Sequence, residues 1–569
     1  MDLEASVVSV LPDKVTIRVN EDSLRSWSEI EKLAVGSYLR VSDNDQCAII
    51  AVIDTFNITE IESNGRSYLL DAIPIGFIDA DGIFHRGGRQ IAIPPTAVAP
   101  ARRSEIEGIY AQMAANKRFD FASLSQDSAI RVPVDGDRFF NKHIAVVGST
   151  GSGKSHTVAR IVQTAICAKS GSFQGLNNSH VIIFDIHSEY KSAFPSANLV
   201  DVNSLQLPYW LMNGDELEEL LVETGENQAY NQISLLRRII TKNKQLKSGN
   251  DGVLFDTPMY FSLSEVINCL VNLSRETRNA KNPDEICIKG NPRTFERDDL
   301  KYEYYFETQF DFDETKRESI VKGLYNDGTL EKFISRLSNK VADRRLDFLL
   351  GKGVERITFE VVLRRILGYI SGQESNVTVV DLSGVPFEVL SITVSLITRL
   401  VFDYGYIRKR VLTQTSQQLT PILLVYEEAH KYAPKDTAVK YRASRMSIER
   451  VAKEGRKYGV SALIASQRPS EVSDTIFSQC SNFVALRLTN PEDQAYVSRL
   501  LPDSLEGMTS ALPTLESGEA VLVGDSLVIP SIVKIDRCDP EPSSTDVPFF
   551  TEWKEPWFNV AFKELVTKW

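Results

Sequence analysis

Long hydrophobic runs are missing from this chain: no apolar stretch approaches the ~20 residues that cross a bilayer, so no membrane partner is expected. The opening Met1-Asp2-Leu3-Glu4 lacks the basic and apolar regions of a secretory leader, and the expected location is cytoplasmic. Cysteine is scarce. Cys47, Cys167, Cys269, Cys287, Cys480 and Cys538 are scattered without C-x-x-C pairing, which argues against both a zinc site and a disulfide framework. Only six histidines occur, and four of them (His143, His156, His187, His430) flank the motifs described below, which accounts for their placement better than a metal cluster does. Positive charge is in deficit, with 64 Lys and Arg against 76 Asp and Glu and a net charge of −12. That balance argues against a surface coated with nucleic acid. A local basic lining stays open, because phosphate contacts depend on local charge. No nuclease, NADase or deaminase constellation and no long internal repeat is present.

What the chain does carry is His143-Ile-Ala-Val-Val-Gly-Ser-Thr-Gly-Ser-Gly-Lys-Ser155, an apolar strand running into Gly148-x-x-x-x-Gly153-Lys154-Ser155. Val158, Ile161, Val162, Ala165 and Ile166 follow at helical spacing. Four fixed positions of this kind would match by chance on the order of 0.02 times in a chain this long. The pattern is a P-loop. Backbone N–H groups of Gly148, Ser149, Thr150, Gly151, Ser152, Gly153, Lys154, Ser155 and His156 are expected to cradle a nucleoside triphosphate at a helix N-terminus. Lys154 would reach the β- and γ-phosphates and Ser155 would hold Mg²⁺, so ATP and Mg²⁺ are the expected cofactors.

Length suggests several domains. Residues 1–100 carry short β-branched runs (Ser6–Leu11, Lys14–Val19, Ser37–Val41, Cys47–Ile53) broken by Pro12-Asp13 and Asp43-Asn44-Asp45, which predicts a small β-barrel without chemistry of its own. Residues 101–202 hold a linker, whose Leu124 and Ala129–Val134 dock on the motor, and the P-loop half of an α/β unit. Its second strand, His180–Asp185, is continuously apolar as a strand buried on both faces should be, and ends in Asp185-Ile-His187-Ser188-Glu189-Tyr190. Residues 203–372 change to helical spacing (Asp215–Glu223, Gln232–Ile240, Leu263–Val271, Thr329–Leu337), with polar connections at Gln245–Asp256 and Asn279–Phe312, and read as an inserted helical subdomain. Residues 373–537 resume the core with strands at Asn376–Asp381, Pro421–Tyr426, Gly459–Ser466 and Asn482–Leu488 and a terminal hairpin turning at Gly524-Asp525. Alternating strands and helices, with polar groups at strand ends, predict an α/β fold: a RecA-like P-loop core, its sheet mostly parallel. Residues 538–569 carry aromatics (Phe549, Phe550, Trp553, Trp557, Phe558) that a short segment cannot bury alone.

Hydrolysis of a triphosphate needs a metal bridge, an oriented water and a sensor of the γ-phosphate. The strand Pro421–Tyr426 ends in paired acids, Glu427 toward the metal and Glu428 toward the attacking water. Asp is more usual in the first place, so the metal role of Glu427 is expected to be partly water-mediated. Gln467 closes a neighbouring strand, where its amide can meet both γ-phosphate and water. Asp185 and Glu189, on the strand next to the P-loop, are candidates for orienting water or metal, or for capping. Between Glu428 and Gly459 lie Lys431, Lys435, Lys440, Arg442, Arg445, Arg450, Lys453, Arg456 and Lys457, against only three acids after the pair. This basic stretch is placed to meet a phosphate backbone or a neighbour's nucleotide.

Together these motifs resemble the HerA family of hexameric DNA-translocating ATPases, related to FtsK and to conjugation ATPases. The resemblance rests on Gly76-Phe, Phe84-His-Arg-Gly-Gly and Ile93-Pro-Pro at the end of the barrel, and on Asp185-x-His187-x-Glu189-Tyr190, with Ser188 where glycine is common. It continues through Glu427-Glu428-Ala-His430, Glu454-Gly-Arg456-Lys457-Tyr-Gly459, Ser466-Gln467-Arg468-Pro469 and Leu515-Glu-Ser-Gly518-Glu519-Ala in family order. It implies a homo-hexameric ring around double-stranded DNA, ATP between subunits, and a nuclease or other effector docked on the barrel. It also implies Arg456 as a trans-acting finger, with Lys457 and Lys142 as second choices, and the aromatic tail as a brace on the adjacent protomer. Bacterial antiphage-defence members of the family suggest an alternative, an ATP-binding scaffold whose ring activates a NAD-consuming or nuclease effector without processive movement.

Overall fold

A computed structural model describes residues 5–11, 14–30, 33–44, 47–60, 66–87, 97–222, 229–412, 420–436, 443–501, 506–544, 547–557 and 562–563. Gly88, Ile93-Pro-Pro, Pro12-Asp13, Asp45, Lys440, Arg442 and Phe558, all used above, lie outside them.

The N-terminal strands form one antiparallel sheet in the order Ala5–Val10, Val15–Asn20, Arg66–Ile78, Cys47–Glu60, Tyr38–Asn44, Ala97–Pro100, with Phe84–Arg86 paired to Arg66–Ile78. Register irregularities at Val7/Ser9, Ile50/Ala51 and Ile53/Thr55 bend the strands. The sheet curls until its first and last strands approach one another, without a ladder between them. The expected barrel is therefore a curled, open sheet among the described residues. Alternation decides what each face does. Val15, Ile17 and Val19, with Leu39, Val41, Ile49, Ala51 and Ile53, close around Trp27 inside the curl. Their neighbours of opposite parity, Tyr38, Ile50 and Val52, join the core of the next domain. Tyr38 Oη reaches Ser531 Oγ at 3.0 Å, which seals that junction with a buried hydroxyl pair.

The motor is a ten-stranded sheet in the order Asn198–Val200, Val377–Asp381, His180–Asp185, Ile422–Tyr426, Val460–Ser466, Ile144–Val147, Asn482–Leu486, Glu519–Gly524, Ser531–Ile535, Ala122–Leu124. The first seven run parallel and the last three antiparallel. The central strands are buried along their whole length, as their uninterrupted apolar sequences require. The linker strand Ala122–Leu124 extends the antiparallel edge, so the linker docks as expected. The terminal hairpin is present, but its second strand begins at Ser531 and a loop of 525–530 replaces the tight turn.

The segment 203–372 carries helices Gly214–Leu221, Ala229–Ser248, Leu263–Arg275 and Glu331–Ala342 where helical spacing predicts them, and a further helix, Phe359–Ile366. It also carries what that spacing did not predict. Residues 277–322 hold a small antiparallel sheet of four short strands, and Asp298–Glu307 is a helix inside the stretch read as a polar connection. That helix buries Tyr302, Tyr305 and Phe306, together with Lys301, whose ammonium lies 3.4 Å from the Glu276 carboxylate. A tyrosine-rich face and a paired buried lysine hide a core helix from an apolar-residue pattern.

Candidate nucleotide site

The P-loop sits where the strand Ile144–Val147 gives way to the helix Lys154–Cys167. Two glycines are required by geometry. Gly153 caps the helix at φ +94°, a left-handed conformation costly for residues with a Cβ, and an added Cβ would also stand 3.2 Å from the Gly518 nitrogen. At Gly148 a Cβ would fall 2.5 Å from Ser152 Oγ and 2.9 Å from Leu486 Cβ. The neighbouring strand and the loop at 515–518 therefore hold the P-loop from both sides. Ser149 N–H donates to the Arg487 carbonyl and Gly518 N–H to the Ser152 carbonyl, each at 2.9 Å.

Lys154 is buried and its ammonium donates to the Glu428 carboxylate, also buried. Burial works to raise the Glu428 carboxyl, but the Lys154 charge and hydrogen bond, with His430 and the Gln467 N–H, bring it below its ordinary value. Glu428 sits at φ +47°, which for a non-glycine residue costs of order 1–3 kcal/mol and marks a position over-determined by its surroundings. The carboxylate is held by Lys154 and by the Gln467 N–H at 3.3 Å, with His430 Nδ1 3.3 Å away. Gln467 in turn accepts from Thr150 Oγ1 at 2.7 Å, so its amide reaches across to the P-loop.

Glu427 is different. It is 1% exposed, its Oε2 has no hydrogen-bond partner among the described residues, and burial pushes its carboxyl well above the ordinary range. Asp185, Glu189 and Glu428 push in the same direction and Lys154 against it. Tyr190 is fully buried with no hydrogen-bond partner for its hydroxyl among the described residues, and burial, with the charges of Glu427, Asp185 and Glu189, raises it well above its ordinary value. Sequence reasoning quoted Tyr190 and His430 as motif members without a role. Their roles depend on which strands are neighbours in space.

Asp185 accepts from the backbone N–H groups of His187, Glu189 and Tyr190, at 3.3, 3.1 and 2.9 Å. Of the two readings open for it, this geometry is the capping one: it folds the turn that carries Glu189 and Tyr190. Its strand is not next to the P-loop strand; the Glu427 and Gln467 strands stand between them. Burial nevertheless raises Asp185, so it adds to the acidity around Glu427. Ser188 stands at φ +58° within that turn, the conformation that makes glycine favourable there, and its hydroxyl donates to Asp381 at 2.8 Å.

The basic stretch is mostly consumed within the subunit. Arg445 pairs with Glu449 at 2.8 Å, Lys435 with Asp474 at 3.0 Å, Lys453 with Glu449 at 3.8 Å, and Arg450 lies 4.3 Å over the Phe402 ring. Lys431, Arg456 and Lys457 are exposed, and among the described residues no ion pair or hydrogen bond holds their side chains; Lys431 follows Glu428 closely, and the two that stand away from it are Arg456 and Lys457. They precede the strand Val460–Ser466, whose far end carries Gln467. Seven strand residues separate them from the P-loop edge, about 20 Å, well beyond an arginine's reach. Lys142 lies at the same far edge but is engaged with Asp525 at 2.6 Å.

The family model for the central domain of helicase HerA matches residues 119–401. The "Probable helicase MJ1565" of Methanocaldococcus jannaschii is 24% identical over 547 residues, covering 92% of this chain and 90% of that protein. The "DNA double-strand break repair helicase HerA" of Sulfurisphaera tokodaii is 28% identical over 481 residues, covering 81% and 78%. Among solved structures, the bacterial conjugative coupling protein TrwBdeltaN70 aligns at TM-score 0.44 and 12% identity, over 79% of this chain and 94% of that one.

Proposed function

The chain belongs to the HerA family of helicases, and on that premise we propose that it is an ATPase that drives double-stranded DNA through a homo-hexameric ring. The observation that carries the ring is the division of the site. Lys154, Glu428 and Gln467 converge at one edge of the sheet, while Arg456 and Lys457 stand exposed and unengaged at the other. A cation that cannot reach the phosphates of its own subunit is, in this reading, free to serve those of a neighbour.

In this reading the loop from Gly148 to His156 holds the polyphosphate and Lys154 leaves Glu428 for the β- and γ-phosphates. Glu428, freed, orients and deprotonates the attacking water. Its left-handed backbone and the Gln467 N–H keep the carboxylate in place when Lys154 departs, so little further reorganisation is left to the reaction. Gln467, linked to Thr150, touches γ-phosphate and water and moves when that phosphate leaves. The oxygen donors fit Mg²⁺: the Ser155 hydroxyl, and a Glu427 carboxylate whose Oε2 is buried and unpartnered. The ion would neutralise phosphate charge. Arg456 from the adjacent subunit spreads the charge that develops during phosphoryl transfer. The curled N-terminal sheet, with no chemistry of its own, is the docking surface for a nuclease or other effector, and the exposed tail aromatics brace the next protomer.

Native mass spectrometry of the full chain with Mg-ATP tests the ring, and ATP turnover with and without duplex DNA tests the motor. Sixfold mass with DNA-stimulated turnover that falls steeply with salt supports the proposal. A monomer whose turnover ignores DNA contradicts it.

A further inference from the structure

The P-loop fixes which way a nucleotide lies. Lys154 at Glu428, and Thr150 at Gln467, mark the γ-phosphate end, and the first turn of the following helix beyond Ser155, at His156, marks the α-phosphate end. The nucleoside must therefore leave past His156. What stands there is a strap of chain that follows the last strand of the sheet. Asp536 anchors it, accepting from Arg131 at 2.7 Å and from Arg160 at 3.0 Å. Asp539 N–H donates to Gln163 Oε1 at 3.1 Å, and Gln163 Nε2 donates back to the Pro540 carbonyl at 2.8 Å. Ser192 Oγ donates to the Glu541 carbonyl at 2.8 Å, and Ser543 N–H donates to the Glu189 carbonyl at 2.9 Å. The strap is thus fastened to the P-loop helix on one side and to the Glu189 turn on the other.

Where the strap passes the start of that helix, one side chain from each approaches the other without bonding. His156 and Glu541 are 40% and 57% exposed, and their nearest approach, 3.7 Å, is too long for a hydrogen bond. They lie side by side where the path just deduced leaves the P-loop helix. An imidazole offers a flat face to a base, and a carboxylate accepts from ribose hydroxyls or a base amine.

We propose that the strap Arg537–Ser543 walls the nucleoside end of the ATP site, with His156 and Glu541 as the side chains that meet ribose and base. The proposal rests on the P-loop being the ATP site, and its test separates the two. Isothermal titration calorimetry of the full-length protein compares Mg-ATP with Mg-tripolyphosphate, which has the phosphates and no nucleoside. Glu541→Ala, a change at an exposed side chain, weakens Mg-ATP about tenfold, equivalent to about 1.4 kcal/mol, and leaves tripolyphosphate within about twofold of the unaltered protein. Unchanged ATP affinity, or equal losses for both ligands, overturns the strap's role. Lys154→Ala is the control for the site itself and loses both ligands. If it binds both normally, the reading of the P-loop fails whatever Glu541 does.

Discussion

The Lys154 ammonium is paired with the Glu428 carboxylate, with both groups buried in the motor core. A residue assigned to phosphate and a residue assigned to water therefore hold each other, and a nucleotide must separate them. Replacing Glu428 by Gln removes the charge that competes for Lys154 and, with it, the base. The variant should bind Mg-ATP as tightly as the unaltered protein or several-fold tighter, while kcat falls by about 10²–10⁴. Parallel calorimetry and steady-state turnover check this. Loss of binding would show that Glu428 helps to build the site.

Glu427 carries the proton balance. Burial, with Asp185, Glu189 and Glu428 around it, raises its carboxyl well above the ordinary value. A divalent ion at Ser155 favours the ionised form, so binding of Mg-nucleotide should release close to one proton. Affinity should then rise with pH until the raised carboxyl ionises unaided. Calorimetry in two buffers of different ionisation enthalpy counts that proton, and Glu427→Gln should abolish the release. Proton uptake instead would mean that some other group titrates.

Gln467 touches the P-loop through Thr150, and its N–H holds Glu428. A side chain that senses the γ-phosphate acts in turnover more than in binding. Gln467→Ala should lower kcat about tenfold with KM within about twofold. A rise in KM at constant kcat would reassign it to simple binding.

Ser188 separates strain from hydrogen bonding. Its left-handed backbone costs roughly 1–2 kcal/mol, and its hydroxyl bond to Asp381 returns about 1 kcal/mol. Ser188→Ala keeps the strain and loses the bond, so it should destabilise the protein by about 1 kcal/mol. Ser188→Gly loses both and should be close to neutral. Melting temperatures of the two variants, measured together, give the order.

What was legible in the sequence was what a strand or a loop fixes locally. Continuous apolar runs marked the central strands of the sheet, and acids or amides following them fell at one edge because parallel strands end there together. Spatial neighbourhood was not legible. Asp185 follows the P-loop unit in the chain, but two strands intervene in the sheet, and its oxygens are spent on three backbone N–H groups. The basic stretch reads as one surface; Glu449 takes Arg445 and Lys453 within its own helix, Asp474 takes Lys435 from outside it, and Lys431, Arg456 and Lys457 are left exposed. The helix Asp298–Glu307 escaped because its buried face is mostly tyrosine and a lysine neutralised by Glu276. The strand order and the Lys435–Asp474 and Lys301–Glu276 pairs turn on partners distant in sequence, which no local pattern encodes.

The central claim is a site shared between subunits, and subunit mixing tests it most directly. Arg456→Ala rings and Lys154→Ala rings should each be inactive as ATPases. Mixed and re-assembled in equal amounts, they regenerate interfaces that join an intact P-loop to an intact Arg456, and ATP turnover should return to about a quarter of the unaltered level. Mixtures that stay as inactive as their components, or an Arg456→Ala ring that is fully active alone, would contradict the shared site.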